Sequence, residues 1–364
     1  MKKFLSIVLY WIIIIILIIV ILILYQRERG MKQIDKVYTI DSSFLSSSGL
    51  NSIVTLHHPD HPRYPFIQTI LPSKLPSTST TSLNTNYYIP RIIWTYWHTN
   101  TLPDFVNFNL DRWKRILGSE YEIRLLNEDT LKQYISSNAI PSNLKTDYSK
   151  QHQSDWIRCY LLKTYGGIWA DSGILFNSLK AFNYIYDTAT SYQVDYAGFN
   201  IAKFQVLADF PVIENWFIMV PQPNNLSSSS SISLSSLFKP SLMELWFEEF
   251  DQAIRMGFVN YKDYAEKKLK VNSQKIFETK SCIYLTCHLC MQTVLQYRLK
   301  SNPPRLFLQC AEDTMFYIHS TMRWNLLNIG YAVQTPQALK LDYIKLRNCD
   351  RMFINSEKIK KIYS

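Results

Sequence analysis

Asp155, Arg158 and Asp171 are the residues whose types and spacing could do chemistry. Asp155 and Arg158 stand three apart in "QHQSDWIRCYLLKTY", on one face of a helix expected over Ser149–Tyr165. Taken alone, that spacing also describes an ordinary ion pair within a helix. Asp171 is the single carboxylate in "YGGIWADSGILF" (Tyr165–Phe176), a run that otherwise reads as buried strand. A carboxylate that leaves water needs a partner or a cation. Gly166 and Gly167 join the helix to the strand and allow positive φ and close backbone approach. The three charged groups are therefore expected to meet in one pocket, with both glycines counted among its substrate-binding positions. An arginine directs several donors at hydroxyls or phosphate. Two carboxylates and a guanidinium beside a strand end suit a phosphorylated, hydroxyl-rich ligand.

The elements that must position them alternate. "RIIWTYW" (Arg91–Trp97) and "YEIRLLN" (Tyr121–Asn127) read as strands, with helical spacing over Asp104–Leu117 between them. A further helix is expected over Glu128–Ser137, and a third strand begins at "IWADS". Asp195–Ala202 and Asn215–Pro221 read as strands, and Leu237–Met256 and Ser281–Lys300 as helices. This order implies an α/β fold with a mainly parallel sheet, whose ligands collect at the carboxyl ends of strands.

The composition is globular, with 47% hydrophobic and 14% aromatic residues. A net charge of +10 suits an anionic ligand or a solubilising surface. No RNA-binding signature or zinc-finger spacing accompanies it, so nucleic acid is not an expected partner. Phe4–Tyr25 is almost wholly Ile, Leu and Val, and as a helix it is about 33 Å long, enough to cross a bilayer core. It lacks the short core and small-residue cleavage site of a signal peptide and reads as an uncleaved anchor. Lys2 and Lys3 precede it, but Arg27, Arg29, Lys32 and Lys36 follow, so the flanks do not place the amino terminus inside. Gln26–Asn86 is rich in Ser, Thr and Pro and reads as a stem. The expected organisation is a tail (1–3), an anchor (4–25), a stem (26–86) and one globular domain (87–364). Of six cysteines, Cys282, Cys287 and Cys290 cluster around His288. No second Cys-x-x-Cys pair is present, so they are read as buried on a core helix rather than as zinc ligands.

"IPRIIWTYWH", "YEIRLLNEDTLKQYI" and "HQSDWIRCYLLKTYGGIWADSGILF" together resemble the capsular-polysaccharide-synthesis branch of the DXD-containing glycosyltransferases. That branch is related to glycosyltransferase family 32 and to the large clostridial glucosylating toxins. The dense resemblance covers Ile89 to about Phe176, and a looser one continues through "ALKLDYIKLR". It implies a GT-A-type nucleotide-sugar-binding fold and a divalent metal, Mn²⁺ or Mg²⁺. It further implies that Trp94 stacks on the nucleotide base, that Asp155 and Arg158 touch donor-sugar hydroxyls, and that Asp171 binds ribose or the metal-bridged diphosphate. By the same resemblance, Lys340 and Arg347 correspond to basic positions near the family's end and would contact the diphosphate. Where the motif carries its second aspartate this chain has Gly173, so a further metal ligand would come from elsewhere: His288, His319 or Asp342.

The expected function is a single-pass, membrane-anchored glycosyltransferase, metal-assisted and retaining. It would move a sugar from a nucleotide-sugar donor to a glycan or glycolipid acceptor. The topology implied is type II, in the Golgi or ER if the source is eukaryotic. Two alternatives stay open: a non-catalytic carbohydrate- or nucleotide-sugar-binding protein of the same fold, and a phosphohydrolase using Asp171 as nucleophile.

Overall fold

In a computed structural model, the structure describes residues 2–34, 55–58, 61–70, 87–223, 240–278 and 283–364. Most of the expected stem, the triplet Asn225-Leu226-Ser227, which reads as an N-glycosylation sequon, the serine-rich tract 227–236, which reads as a surface loop, and Cys282 lie outside the described residues. The elements are, in order, α1 (Lys2–Ile34), β1 (Thr55–His58), β2 (His61–Ile70), β3 (Ile92–Tyr96), α2 (Asp104–Leu117), β4 (Glu122–Leu126), α3 (Lys150–Tyr165), β5 (Gly167–Ala170), β6 (Ile174–Phe176), α4 (Leu179–Ser191), β7 (Tyr196–Asn200), β8 (Ile213–Val220), α5 (Leu242–Met256), α6 (Thr286–Thr293), β9 (Leu306–Cys310), α7 (Leu326–Val333) and β10 (Tyr343–Lys345), with short helical turns between them.

The main sheet has the order β1-β2-β9-β7-β8-β5-β3-β4. β4, β3, β5, β7 and β9 run one way, while β8 and β2 run against them, so the sheet is mixed but mostly parallel. Its central strands are buried along their whole length, as apolar runs covered on both faces must be. Side chains alternate between two cores. Ile93, Ile168 and Ala170 join the core under α2 and α4. Trp94, Trp169 and Ile218 join the core under α3, α5 and α6. The molecule is therefore a three-layer α/β sandwich.

Three sequence expectations change. Glu128–Ser137 is not a helix but two short turns, Thr130–Gln133 and Ser137–Ala139. The Asn127 side chain accepts from the amides of Asp129 and Thr130, a local alternative to helical bonding. Part of the stretch read as stem is strand β2, paired with β9 from Ile67 to Ile70. Its prolines, Pro62 and Pro65, precede the pairing with β9, and Pro65 stands opposite His57 of β1 at a register shift, where a missing ladder amide is tolerated. Finally, α1 continues past Tyr25 to Ile34.

The two halves of α1 differ in surroundings. Leu9 to Leu22 are exposed and apolar, apart from half-buried Ile14. From Ile23 onward one face docks on the domain. Asn328 donates to the Ile23 carbonyl (3.1 Å), Arg27 lies over the Tyr331 ring, and Gly30 and Ile34 are buried. A Cβ on Gly30 would come within 2.7 Å of the Met322 sulfur and 3.1 Å of the Thr321 carbonyl oxygen, so the helix packs closely on the domain there. By length and composition α1 is able to cross a membrane.

Candidate active site

The site grows from two local signals. Ser149 caps α3 by accepting from the His152 amide, and Gly166 ends it with φ 65°, its N–H donating to the Leu162 carbonyl. Between these caps, Asp155 and Arg158 project together towards the carboxyl ends of β3, β5 and β7. Asp171 lies one residue beyond β5. Its amide bonds the Trp216 carbonyl on β8, and its own carbonyl accepts from Ile174, closing a tight turn into β6. β6 pairs antiparallel with β10, setting Lys345 opposite Ile174. Chain closure alone thus brings α3, the Asp171 turn and the carboxyl-terminal segment to one place.

The side chains interlock there. Asp155 Oδ1 accepts from Arg158 Nη2 at 3.1 Å and from Asn215 Nδ2 at 3.0 Å. Asp171 Oδ1 accepts from the same Arg158 nitrogen at 3.2 Å and from Trp169 Nε1 at 3.0 Å. Asp171 Oδ2 accepts from Lys345 Nζ at 2.7 Å. Arg158 also donates to the Asn215 carbonyl. These groups line a cavity of about 720 Å³. Burial pushes the Asp155 carboxyl above its usual range, against the pull of Arg158. Burial acts on Asp171 in the same direction, but Lys345 and Arg158 together hold it below the usual range. Two cations against one is the difference. Burial lowers the Lys345 ammonium, and Asp171 offsets part of that.

Arg347 also lines the cavity, braced by two bonds to buried Asp350 and lying 5.1 Å from the Trp324 ring centre. Around the cavity Lys150, Arg158, Lys203, Lys345, Arg347 and Arg351 outnumber Asp155, Asp171 and Glu214. Such a field favours a multiply charged anion.

Other expected site residues lie elsewhere. Trp94 does not face the cavity; it is fully buried, donates to the Gly166 carbonyl at 3.0 Å and packs on Tyr134 and Tyr165. Alternation along β3 turns it into the core under α3. Gly166 and Gly167 sit at the amino end of β5, away from the cavity, and serve close main-chain packing instead. A Cβ at Gly166 would meet the Gln222 and Pro221 backbone at 2.7 Å. Gly166→Ala is expected to destabilise the fold by about 1–3 kcal/mol through forced overpacking, with ligand binding at the cavity unchanged. Thermal unfolding of the full chain with and without added nucleotide checks both halves. Lys340 is exposed at the end of a short turn (Pro336–Lys340) and does not line the cavity. His319 is buried against Asp350 at 2.8 Å, and Asp342 is likewise outside the lining. His288 does line it, 3.5 Å from Glu214. Cys287 and Cys290 are buried on α6 as expected, and the described cysteines are free thiols.

Sequence reasoning gave no site role to Trp97, Glu214 or Lys345, all cavity-lining. Trp97 and its neighbour His98 just beyond β3 were findable, because ligands collect at strand carboxyl ends. Lys345 carried no local signal; only the β6–β10 pairing brings it to Asp171.

The divalent cation expected at Asp171 does not fit these donors. Both carboxylate oxygens are engaged by cations, and Gly173 supplies no ligand. Among the described residues no group of three His, Cys, Asp or Glu side chains is placed to hold a metal. Nor is there room for an acid at Gly173, where a Cβ would stand 2.5 Å from the Leu346 carbonyl oxygen.

The capsular polysaccharide synthesis protein family matches residues 66–299. O-glycosyltransferase PaGT of Phomopsis amygdali is 29% identical over 115 residues, 28% of each chain. O-glycosyltransferase braB of Annulohypoxylon truncatum is 29% identical over 147 residues, 36% of this chain and 34% of that one. Glycosyltransferase afumC of Aspergillus fumigatus is 33% identical over 119 residues, 29% of this chain and 30% of its own. The chain thus spans about a third of the length of these curated relatives. A solved glycosyltransferase involved in glycosylation of the major capsid of PBCV-1 aligns with 75% of this chain and 99% of its own, at 11% identity and a TM-score of 0.32.

Proposed function

Because the chain belongs to the capsular polysaccharide synthesis protein family, we propose that it is a glycosyltransferase of GT-A type that moves a sugar from a nucleotide-sugar donor to a glycan or glycolipid acceptor. The observation that carries this reading is the meeting of Asp155, Arg158 and Asp171 at the floor of a cation-rich cavity. In the reaction, the bond from the anomeric carbon to the diphosphate oxygen breaks and its electron pair leaves with the nucleoside diphosphate. The acceptor hydroxyl oxygen takes the sugar and gives up its proton.

The residues divide that work by position. Asp155 faces the sugar as a hydroxyl acceptor. Arg158, whose donors go to Asp155, Asp171 and Asn215, is a positioning residue that fixes both carboxylates. Trp97 takes the base-stacking role first given to Trp94, and Arg347 and Arg351 line the anionic side of the cavity. Transfer with retention of anomeric configuration is part of the proposal, and proton NMR of the first-formed product checks it.

The chain is further proposed to be held in a membrane by α1, type II, with the domain on the lumenal side of the ER or Golgi if the source is eukaryotic. Protease protection in sealed vesicles tests this; a domain digested without detergent would place it in the cytosol.

The functional test is release of nucleoside diphosphate from a panel of nucleotide sugars by the full chain in detergent. Asp171→Asn is expected to lower turnover about 10- to 100-fold, the worth of one charged hydrogen bond. A second reading, a non-catalytic nucleotide-sugar-binding protein, draws on Gly173 in place of an acid. It requires binding without turnover for every donor and acceptor tried.

A further inference from the structure

We propose that Lys345, seated on Asp171, is the cation that neutralises the donor diphosphate, so that this site works without a divalent metal. The proposal rests on the glycosyltransferase reading for its ligand, but its observations are separate.

Three features of one turn carry it. First, Lys345 Nζ stands 2.7 Å from Asp171 Oδ2, at the oxygen a metal ion would need. Second, the position that would supply a second acid is closed by main chain. The Leu346 amide bonds the Gly173 carbonyl at 2.8 Å, and the Leu346 carbonyl fills the space of a Gly173 side chain. Third, the lysine is placed by backbone rather than by a flexible arm. β10 pairs with β6 in register Lys345↔Ile174, and the Lys345 amide bonds the Met315 carbonyl at 2.8 Å.

The chemistry is consistent with this. An ammonium has three donors. Asp171 takes one, and the lysine lines the cavity beside Arg347 and Arg351. Its side chain is 9% exposed, so its field acts with little screening by water. As the bond from the anomeric carbon to the diphosphate oxygen breaks, negative charge grows on that oxygen. A fixed cation aimed there stabilises the departing group without reorganising. The acceptor's proton is released with the nucleoside diphosphate, so the step needs no further reactant. Asp171 then has the role of holding the lysine, rather than of ligating a metal.

The test uses the full chain in detergent micelles, with UDP and GDP as binding probes in calorimetry and UDP- and GDP-sugars as donors. Each is run in EDTA and in added Mn²⁺. Binding and turnover in EDTA are expected to stay within about twofold of their values in Mn²⁺. Lys345→Met is expected to weaken nucleoside-diphosphate binding or turnover about 100-fold, the size of a lost transition-state donor. Lys345→Arg, which keeps the charge, is expected to retain EDTA-resistant binding and guards against a folding defect in the Met variant. Binding that vanishes in EDTA and returns with Mn²⁺ would overturn the proposal. So would a folded Lys345→Met chain that binds as the parent does, or a parent chain that binds neither nucleotide. EDTA-resistant, Lys345-dependent binding with no turnover would sink the transferase reading and leave the lysine's role standing.

Discussion

Arg158→Met is expected to destabilise the folded chain by about 3–5 kcal/mol and to abolish turnover, because it strips the shared partner from two carboxylates at once. The Arg158 side chain is 5% exposed and Asp155 is 10% exposed. Without the guanidinium, Asp155 keeps only the Asn215 amide, a neutral donor. Asp171 keeps Lys345 and Trp169, so the two acids separate in character. Burial already raises Asp155, and loss of Arg158 raises it further. A carboxyl whose folded pKa exceeds its unfolded value loses stability as pH rises through the folded pKa. The deficit of Arg158→Met should therefore shrink as pH falls through the raised folded pKa of Asp155, where that carboxyl binds a proton. Denaturant unfolding at several pH values measures this. A deficit that is flat in pH would mean that the lost stability comes from packing over Trp169 and not from an unpaired acid.

Gly173→Asp, the substitution that restores the motif's second acid, is expected to damage the site instead of improving it. The new Cβ would lie 2.5 Å from the Leu346 carbonyl oxygen, a main-chain atom that cannot swing aside as a side chain would. Relief requires β10 to shift against β6, at a cost of about 1–3 kcal/mol. That shift also moves Lys345 off Asp171, and a misplacement of about 1 Å at a reacting centre costs on the order of 100-fold in rate. No Mn²⁺ dependence is expected to appear. The measurements are thermal unfolding and metal titration of turnover. A folded variant with metal-stimulated activity would show that the turn tolerates the acid, and that glycine there is not enforced by Leu346.

The three groups singled out in the sequence meet, because each was fixed by local rules. An i, i+3 pair on a capped helix must share a face, and a glycine with positive φ must turn the chain directly into β5. The helix–strand alternation likewise had to give an α/β sandwich, since apolar strands need cover on both faces. The misassigned residues failed for definable reasons. Trp94 and Trp97 both lie in "RIIWTYW", and composition could not say which one a strand ending at Tyr96 would release to the cavity. Gly166 and Gly167 were correctly read as close-approach positions, but what approaches them is the Gln222 and Ile92 backbone.

The sequence by itself therefore determined the layers, the apolar amino-terminal helix and the acid–arginine constellation, all of which follow from short-range periodicity and capping. Tertiary structure alone decided the charge balance of the site. Lys345 is 174 residues from Asp171, and only the antiparallel pairing of β10 with β6 joins them. A contact made by sheet register has no spacing in the chain to read, and this one sets an ammonium on Asp171 where the motif implied a metal.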